Sequence, residues 1–186
     1  MPHASLTTER LKLRPITLSD APAMQRHFGR WEIIKNMSTA VPWPYPEDGA
    51  YTFIHDTILP GMESGDTMAW AIVLKEGPDE AIGFLEYRCG PDATDNRGFW
   101  LAVEHQGRGY MTEAVTAFQD HIFFDLGVEH IHVLNSRSNA ASSRIKEKTG
   151  AEYVGTVKLD HHEGGSETQK WIVTRERWAM IRGRKL

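Results

Sequence analysis

A buried strand that runs through a glycine turn into a long amphipathic helix is the feature that most constrains the fold of this chain. The apolar run at 99–103 predicts a strand buried on both faces. Gly107 and Gly109 follow it, and glycines let the backbone approach a ligand closely. From Tyr110 onward, apolar residues recur at the spacing of one helix face, at Met111, Ala114, Val115, Phe118 and Ile122. Because the first amides of a helix have no partner within it and lie at its positive end, this turn predicts an anion site suited to a phosphate or diphosphate.

The glycine spacing does not by itself identify the ligand. A dinucleotide-binding turn has a third glycine where this chain has Thr112, and it lies near the start of a doubly wound sheet. A Walker loop has Gly-Lys followed by Ser or Thr at the helix start, and that sequence is absent here. A tight strand-to-helix turn without a ligand explains the spacing equally well, so both interpretations remain open at this point.

The remaining hydropathy and turn patterns predict an α/β (α+β) fold with a mixed sheet. Predicted strands lie at 6–16, 68–74, 81–88, 99–103, 130–134, 151–159 and 170–174. Thr17 and Asp20 resemble a capping box, which predicts a helix that ends at Phe28. Further helices are predicted at about 47–59, 110–127 and 139–149. With 186 residues the chain is expected to form one domain, 1–186.

Three segments carry narrower expectations. The helix at 47–59 is expected to stop at Pro60 and Gly61 and to turn inward the residues Ala50, Phe53, Ile54 and Thr57. The prolines within 37–46 exclude helix and predict an aromatic-rich loop. The basic stretch 175–185 is interpreted as a solvated terminus.

Charge and cysteine content exclude several classes of protein. Lys and Arg total 21 against 25 Asp and Glu, and the net charge of −4 argues against general nucleic-acid binding. The single cysteine, Cys89, cannot form a disulfide within the chain and fits a reducing compartment. No apolar run approaches the roughly 20 residues of a membrane span, and the start lacks a signal-peptide pattern. We therefore expect a cytoplasmic protein without membrane or nucleic-acid partners.

The nine histidines raise the question of a metal site. His130 and His132 share one face of a predicted strand, and His161 and His162 lie in a loop beside Glu163. Neither pair has a convincingly spaced third ligand, and the chain has no cysteine pair. We therefore expect no metal.

Four segments of the chain resemble the GNAT family of N-acetyltransferases. Gln106-Gly107-Arg108-Gly109-Tyr110 resembles the family's acetyl-coenzyme A diphosphate loop, whose pattern is Gln or Arg, two residues, Gly, one residue, then Gly or Ala. Met111 departs from that pattern at its last position. The stretch 109–114 has the form that resembles the RimJ/RimL-like branch. The other segments that resemble this branch are 6–15, 98–101 and 139–151, with Ala151 in place of a usual Phe.

The resemblance implies a GNAT-like domain with a mostly antiparallel central sheet of about six to seven strands flanked by about four helices, splayed in the middle for acyl-coenzyme A. It also implies acetyl transfer from acetyl-coenzyme A by direct attack of a primary amine on the thioester. The acceptor would be the N-terminal α-amine of a protein or a small-molecule amine. The alternative is a non-catalytic acyl-coenzyme A-binding protein of the same fold. The oligomeric state is open between a monomer and a homodimer.

The resemblance also assigns residues to the coenzyme. The diphosphate would be bound by the amides of Gly107, Arg108, Gly109, Tyr110 and Met111, with help from the side chain of Gln106. The pantetheine arm would pair with the backbone of Leu101 and Val103, as an added strand does. Asn139 would hydrogen-bond the same arm, although a helix N-cap explains an asparagine at this position as well.

Three kinds of residue would serve the chemistry. A backbone N–H near Val103 would stabilise the oxyanion, and Ser142 would donate a hydrogen bond or a proton to the leaving thiolate. Glu86 is the candidate general base, with Tyr87 and His105 as rivals. The acceptor pocket would be formed by Glu86 together with Trp43 and Tyr45, although an ordered aromatic loop that covers the sheet explains the last two equally well.

Overall fold

The computed structural model describes residues 4–90 and 93–186. Within them the strands are β1 (Leu6–Thr7), β2 (Leu11–Pro15), β3 (Thr67–Leu74), β4 (Gly83–Arg88), β5 (Arg97–Leu101), β6 (His130–Ser136), β7 (Glu152–Lys158) and β8 (Glu167–Thr174). The helices are α1 (Ala21–Phe28), α2 (Trp31–Ile34), α3 (Gly49–Phe53), α4 (Leu59–Ser64), α5 (Tyr110–Asp120), α6 (Ala140–Lys148) and α7 (Arg175–Arg182). In these ranges no helix has the length and apolar content needed to cross a membrane.

The strands form two antiparallel sheets. β1 to β5 lie side by side in chain order, and β6, β8 and β7 form a second sheet in that order. The predicted α/β class with a mostly antiparallel sheet is therefore confirmed. There are more strands than expected because the predicted strand 6–16 contains a turn, in which the Leu11 N–H donates to Thr8 Oγ1 at 2.9 Å.

Each face of the five-stranded sheet carries its own core. On one face, Leu11 and Leu13 of β2 are fully buried, as their alternation predicts, and belong to the same core as α5. The whole predicted stripe of the α5 segment is buried there: Met111, Ala114, Val115, Phe118 and Ile122. On the other face, Met24 of α1 and Ala50 of α3 pack in a core with Trp100. β5, which carries Trp100, is thus covered by helices but lies at an edge of its sheet.

The second predicted helix does not stop at Pro60 and Gly61. It continues through a π-helical turn, Ile54–Ile58, into α4 and ends at Gly65, which has φ of 85°. The π turn places Pro60 at the second position of α4, where its missing N–H costs no hydrogen bond within that helix. It also shifts the inward face by one residue, so Ile58 is buried and Thr57, predicted to be inward, is exposed.

The interpretation of 175–185 as a solvated terminus is wrong. Thr174 caps α7, its hydroxyl accepting from the Arg177 N–H at 3.2 Å. The side chain of Trp178 is buried and donates from Nε1 to Asp120 at the end of α5, at 2.9 Å. One large aromatic side chain with a hydrogen-bond partner outweighs the basic composition of the segment and docks it as a helix.

The predicted boundaries of the central strand are also wrong. β5 covers Arg97–Leu101, so Val103 lies beyond the strand in the 3₁₀ turn Val103–His105. Gly98 and Phe99 are only half-buried. The strand is not enclosed on both faces because one side of it borders the cavity described next.

Candidate active site

The two sheets separate where β5 approaches β6. The backbone N–H of Asn96 donates to the His132 carbonyl at 2.7 Å, and Asn96 Oδ1 accepts from the His132 N–H at 2.8 Å. One step further, Asp95 Oδ1 accepts from the Leu134 N–H at 3.1 Å. Side-chain oxygens have here replaced the backbone partners of a continuous sheet, and β5 and β6 belong to different sheets. The splay in the middle of the fold, which the resemblance implies, is therefore present.

A cavity of about 490 Å³ lies beside the end of β5. Four parts of the chain form its wall. These are the end of β5 (Phe99, Trp100, Leu101), the glycine turn with the start of α5 (Gln106, Gly107, Gly109, Tyr110, Met111, Thr112), α6 with its N-cap (Asn139, Ala141, Ser142, Arg144, Ile145, Lys148) and the region of α2 (Glu32, Ile33, Asn36, Met37). Most of the residues predicted for a coenzyme site therefore meet in one wall, whereas Val103 and Arg108 lie outside it.

The glycine turn has the backbone that the sequence predicts. Gly107 and Gly109 have φ of 74° and 81°, in the left-handed region that favours glycine. The first helical hydrogen bond of α5 runs from the Glu113 N–H to the Gly109 carbonyl at 3.0 Å, so the amides before Glu113 have no acceptor within the helix. The N-cap of α5 is Gly109, which has no side chain that could cap these amides. Met111, the residue that departs from the family pattern, has its side chain buried in the core. Its side chain therefore does not cover these amides.

Arg10, in the turn between β1 and β2, contacts the glycine turn. Its Nη1 donates to the Arg108 carbonyl at 3.0 Å, and its guanidinium lies 4.5 Å from the centroid of the Tyr110 ring. Glu113 orients Arg10 by accepting from its Nε at 2.7 Å and from its backbone N–H at 2.8 Å. Hydrogen bonds from Thr8 and Arg10 lower the pKa of the Glu113 carboxyl although burial acts to raise it, so this anchor is ionised at neutral pH.

The side chain of Gln106 binds the end of the neighbouring strand. Its Nε2 donates to the Leu101 carbonyl at 2.9 Å. The amide group therefore fixes the spacing between β5 and the glycine turn, and one lone pair of the Leu101 carbonyl is already in use.

α6 forms the opposite wall of the cavity. Asn139 is the N-cap of this helix, its Oδ1 accepting from the Ser142 N–H at 3.1 Å, as the capping interpretation predicts. Its Nδ2 makes no hydrogen bond within 4–90 and 93–186 and remains available in the cavity wall. The hydroxyl of Ser142 is 2.8 Å from Nζ of Lys146. Arg144 and Lys148, one helical turn apart, add two exposed cations to the same wall.

Glu86 lies outside the cavity wall. It stands on β4 opposite Gly98 of β5, and its largely buried carboxylate forms an ion pair with Arg88. Arg88 also pairs with Asp95, the residue at the split, at 2.9 Å. The carboxylate predicted as a base is therefore close to the split but tied to a cation.

The rival bases, Tyr87 and His105, are also outside the cavity wall. Tyr87 is buried, and burial together with Cys89 raises the pKa of its phenol. His105 follows β5 in the 3₁₀ turn, and burial with the nearby charge of Arg108 lowers the pKa of its imidazole. Neither residue belongs to the cavity wall.

The aromatic loop takes two different roles. Tyr45 packs edge-to-face on Phe28 with ring centroids 5.1 Å apart, and burial raises the pKa of its phenol to about 12. Trp43 is exposed and contacts Trp31 of α2 with centroids 5.0 Å apart. The loop also joins the β7–β8 connection, where His162 Nε2 lies 2.7 Å from the Val41 carbonyl. Neither Trp43 nor Tyr45 lines the cavity itself.

Sequence reasoning missed the residues that close the cavity at the α2 end. Glu32 contributes a carboxylate there, and Asn36 and Met37 follow it. Hydrogen bonds from its own backbone and from Arg30 lower the pKa of Glu32, so it is ionised at neutral pH. The sequence carries no pattern for them, because α2 has only four residues. Arg144 and Lys148 could have been found, since two cations four residues apart on a helix that carries Ser142 indicate an anion-binding face.

Within the two described ranges, no group of three or more His, Cys, Asp or Glu side chains is placed to hold a metal ion. His130 and His132 do stand side by side, with ring centroids 5.4 Å apart.

The chain is similar in sequence and in fold to known proteins. The family model described as the acetyltransferase (GNAT) domain matches residues 10–152. The chain is 26% identical over 160 residues to the uncharacterized N-acetyltransferase p20 of Bacillus licheniformis, covering 83% of this chain and 85% of that protein.

Solved structures share the fold at low identity. RimJ of Mycobacterium smegmatis, in complex with CoA-disulfide, has a TM-score of 0.79 at 18% identity, with 98% of this chain and 96% of that chain covered. The ribosomal-protein-S5-alanine acetyltransferase of Vibrio fischeri has a TM-score of 0.77 at 19% identity, with 94% and 98% covered. These neighbours belong to the branch that the sequence motifs resemble. Because the family model spans the split between the sheets, the glycine turn and the helix that carries Ser142, the protein is an acetyltransferase of the GNAT family.

Proposed function

We propose that this protein transfers an acetyl group from acetyl-coenzyme A to a primary amine, by direct attack of the amine on the thioester. The observation that carries the proposal is the continuity of one cavity from the end of the edge strand β5 to the unpaired amides at the start of α5. A thioester carrier with a diphosphate needs both a slot for an extended arm and an anion site at one end of that slot.

The residues of the wall fit acetyl-coenzyme A. The amides of the glycine turn and of the first turn of α5 would bind the diphosphate, and Arg144 and Lys148 would attract the remaining phosphate charge. The edge of β5 and Nδ2 of Asn139 offer hydrogen bonds to an amide-containing arm. RimJ of Mycobacterium smegmatis, a neighbour in fold, has been solved with CoA-disulfide.

Ser142 is placed to serve the leaving group. It lies in the part of the cavity wall that α6 forms. A hydroxyl can donate a hydrogen bond to a thiolate whose conjugate acid has a pKa of about 8.5. Stabilisation of this leaving group is the role we assign to Ser142.

The α2 end of the cavity is the place we assign to the acceptor amine. Glu32 lines it with an ionised carboxylate, which favours cationic amines. An N-terminal α-amine has a pKa of about 8 and a lysine amine about 10.4, so the former reaches the attacking neutral form more easily at pH 7. One neighbour is named as a ribosomal-protein-S5-alanine acetyltransferase, which adds protein N-termini to the acceptor classes to be tested beside small amines.

The general base remains a choice between two carboxylates, Glu86 and Glu32. The ion pair of Glu86 with Arg88 also favours a second candidate function, a non-catalytic acyl-coenzyme A-binding protein, because a carboxylate tied to a guanidinium is a weak base. Turnover decides between the two functions, since both require coenzyme binding.

The test is an acceptor screen with labelled acetyl-coenzyme A across N-terminal peptides, polyamines and aminoglycosides, with calorimetry of coenzyme A binding in parallel. We expect Ser142→Ala to lower kcat roughly a hundredfold while coenzyme A still binds. Ser143→Ala is the matched control, because Ser143 bonds Gln169 on β8 instead of lining the cavity. Coenzyme binding without transfer to any acceptor would establish the non-catalytic function, and the absence of binding would refute both.

A further inference from the structure

A lysine is buried directly behind Ser142. Lys146 lies one turn further along α6, is 2% exposed, and places Nζ 2.8 Å from Ser142 Oγ. No carboxylate of the described residues forms an ion pair with it. A buried, unpaired amine is costly, so its presence calls for a reason.

A second buried cation stands next to Lys146. Arg97 of β5 is 3% exposed, and its Nη1 donates to Gln119 at 2.9 Å. Its Nε and Nη2 are buried and have no hydrogen-bond partner among the residues that the structure describes. Lys146 Nζ and the Arg97 guanidinium lie 5.7 Å and 5.4 Å from the centroid of the same Phe99 ring, and Phe99 lines the cavity. Two buried positive charges thus face the cavity through Phe99 and Ser142.

Ser142 links Lys146 to the cavity by a hydrogen bond. Ser142 belongs to the wall, whereas Lys146 does not. Any effect of the amine on a bound molecule must therefore pass along the hydrogen bond between the two side chains or act through its charge.

We propose that Lys146 is a positioning residue that, through Ser142, delivers a proton to the thiolate of coenzyme A as it leaves. The proposal rests on the proposed acetyl transfer. As the carbon–sulfur bond breaks, its electron pair stays on sulfur, which takes the hydroxyl proton of Ser142. Ser142 Oγ takes a proton from the Lys146 ammonium, which becomes a neutral amine. The proton that the acceptor nitrogen gives up on forming the amide restores the ammonium, so the cycle is balanced.

The surroundings of Lys146 suit this exchange. Burial and the charge of Arg97 lower the pKa of Lys146 well below its ordinary value, and Asp95 acts weakly in the opposite direction. These are the charged groups that act on the amine. An ammonium of lowered pKa is a stronger acid than a solvated lysine and closer to a thiol, whose pKa is about 8.5.

The kinetic test compares Lys146→Met with the wild type. We expect kcat to fall roughly ten- to a hundredfold with little change in KM for acetyl-coenzyme A. In the wild type, kcat should decline as rising pH removes the proton of Lys146, and Lys146→Met should lack that decline. Ser142→Ala and the double variant should be equally slow, because in the proposed relay the proton of Lys146 passes through Ser142.

Two further variants distinguish the proposed role of Lys146 from a purely structural effect of replacing it. Lys146→Gln keeps a polar side chain without an acidic proton and should behave like Lys146→Met. Thr149→Val is the matched control, since Thr149 is a buried polar residue directly after α6 whose hydroxyl donates to the backbone carbonyls of Ile145 and Lys146, and it should keep the wild-type pH profile. Thermal denaturation should show Lys146→Met folded and at least as stable as the wild type, because the variant removes a buried charge.

A titration of bound coenzyme A, read by thiolate absorbance, needs no acceptor. The bound thiol should have a lower pKa in the wild type than in Lys146→Met, corresponding to roughly a tenfold difference in acid dissociation. If the wild type transfers acetyl groups but Lys146→Met keeps its kcat and pH profile, the inference is overturned and the proposed function stands. If coenzyme A binds without transfer, the thiol titration decides the inference: equal pKa values overturn it, and a lower wild-type value supports the coupling. If coenzyme A does not bind, both proposals fall.

Discussion

Gly107 and Gly65 form a matched pair for testing the anion site. Both have positive φ, 74° and 85°, and a Cβ on either would meet no atom of the described residues within 4 Å. Alanine therefore introduces only backbone strain, about 1–2 kcal/mol at each position. Gly65 ends α4, whereas Gly107 lies in the cavity wall next to the unpaired amides of α5.

The strain should change different quantities in the two variants: the free energy of unfolding in Gly65→Ala and the affinity for coenzyme A in Gly107→Ala. Gly65→Ala should lower the free energy of unfolding by about 1–2 kcal/mol and leave coenzyme A binding unchanged. The turn around Gly107 is exposed, so alanine there can relax by turning the backbone away from its present direction. Loss of one charge-assisted hydrogen bond to the diphosphate, about 1.5–3 kcal/mol, would then raise the Kd for coenzyme A roughly ten- to a hundredfold.

Urea denaturation and calorimetric titration of both variants measure these quantities. The reasoning is refuted if Gly107→Ala has the stability and the Kd of the wild type. It is also refuted if Gly65→Ala weakens coenzyme A as much as Gly107→Ala does, because the effect would then be one of general stability.

Three other predictions concern contacts outside the cavity. Asp20→Asn removes the carboxylate that pairs with the partly buried guanidinium of Arg14 at 2.7 Å, while Asp79 still pairs with it at 2.8 Å, and should cost about 1.5–3 kcal/mol in urea denaturation at pH 7. Burial acts to raise the pKa of Asp20, but the hydrogen bonds to its carboxylate outweigh burial and lower that pKa. The pair therefore contributes its full stability above the pKa of the unfolded carboxyl, about 3.9. The wild type should lose this stability as the pH falls below about 3.9, whereas Asp20→Asn should not. Trp178→Ala should cost about 3–5 kcal/mol, whereas Met180→Ala on the exposed side of α7 should be neutral in thermal denaturation; equal effects would contradict the docking of that helix. Arg10→Ala removes the hydrogen bond that holds the glycine turn and should raise the Kd for coenzyme A with kcat little changed, and an unchanged Kd would show that the turn holds itself.

Local patterns were sufficient wherever a feature depends on neighbours in the chain. The positive φ of Gly107 and Gly109 and the cap at Asn139 each follow from a few adjacent residues. The α5 stripe is a matter of helical periodicity, and its burial was predicted in full. The boundaries of β5 and of the helix around Pro60 were wrong, because a π turn and a sheet edge leave no distinct pattern in side-chain hydropathy.

Some of the predicted catalytic and binding residues are likewise placed by local structure, and others by tertiary contacts. Ser142 and the glycine turn occupy the cavity wall because the segments that carry them are fixed by local structure. Glu86 was chosen for its position on a strand, and its ion pair with Arg88 depends on which side chains share that face of the sheet. Glu32 reaches the cavity through a helix too short to be recognised in the sequence.

The sequence alone determined the glycine turn and the unpaired amides at the start of α5, since both are properties of a strand, a turn and a helix joined in that order. Only the tertiary structure decided what surrounds them. It opened the sheet with the side chains of Asp95 and Asn96, brought Arg10 against a turn about a hundred residues away, and buried Lys146 behind Ser142. These contacts join segments that are remote in the chain, and their energies depend on burial and distance, which no local pattern of residues encodes.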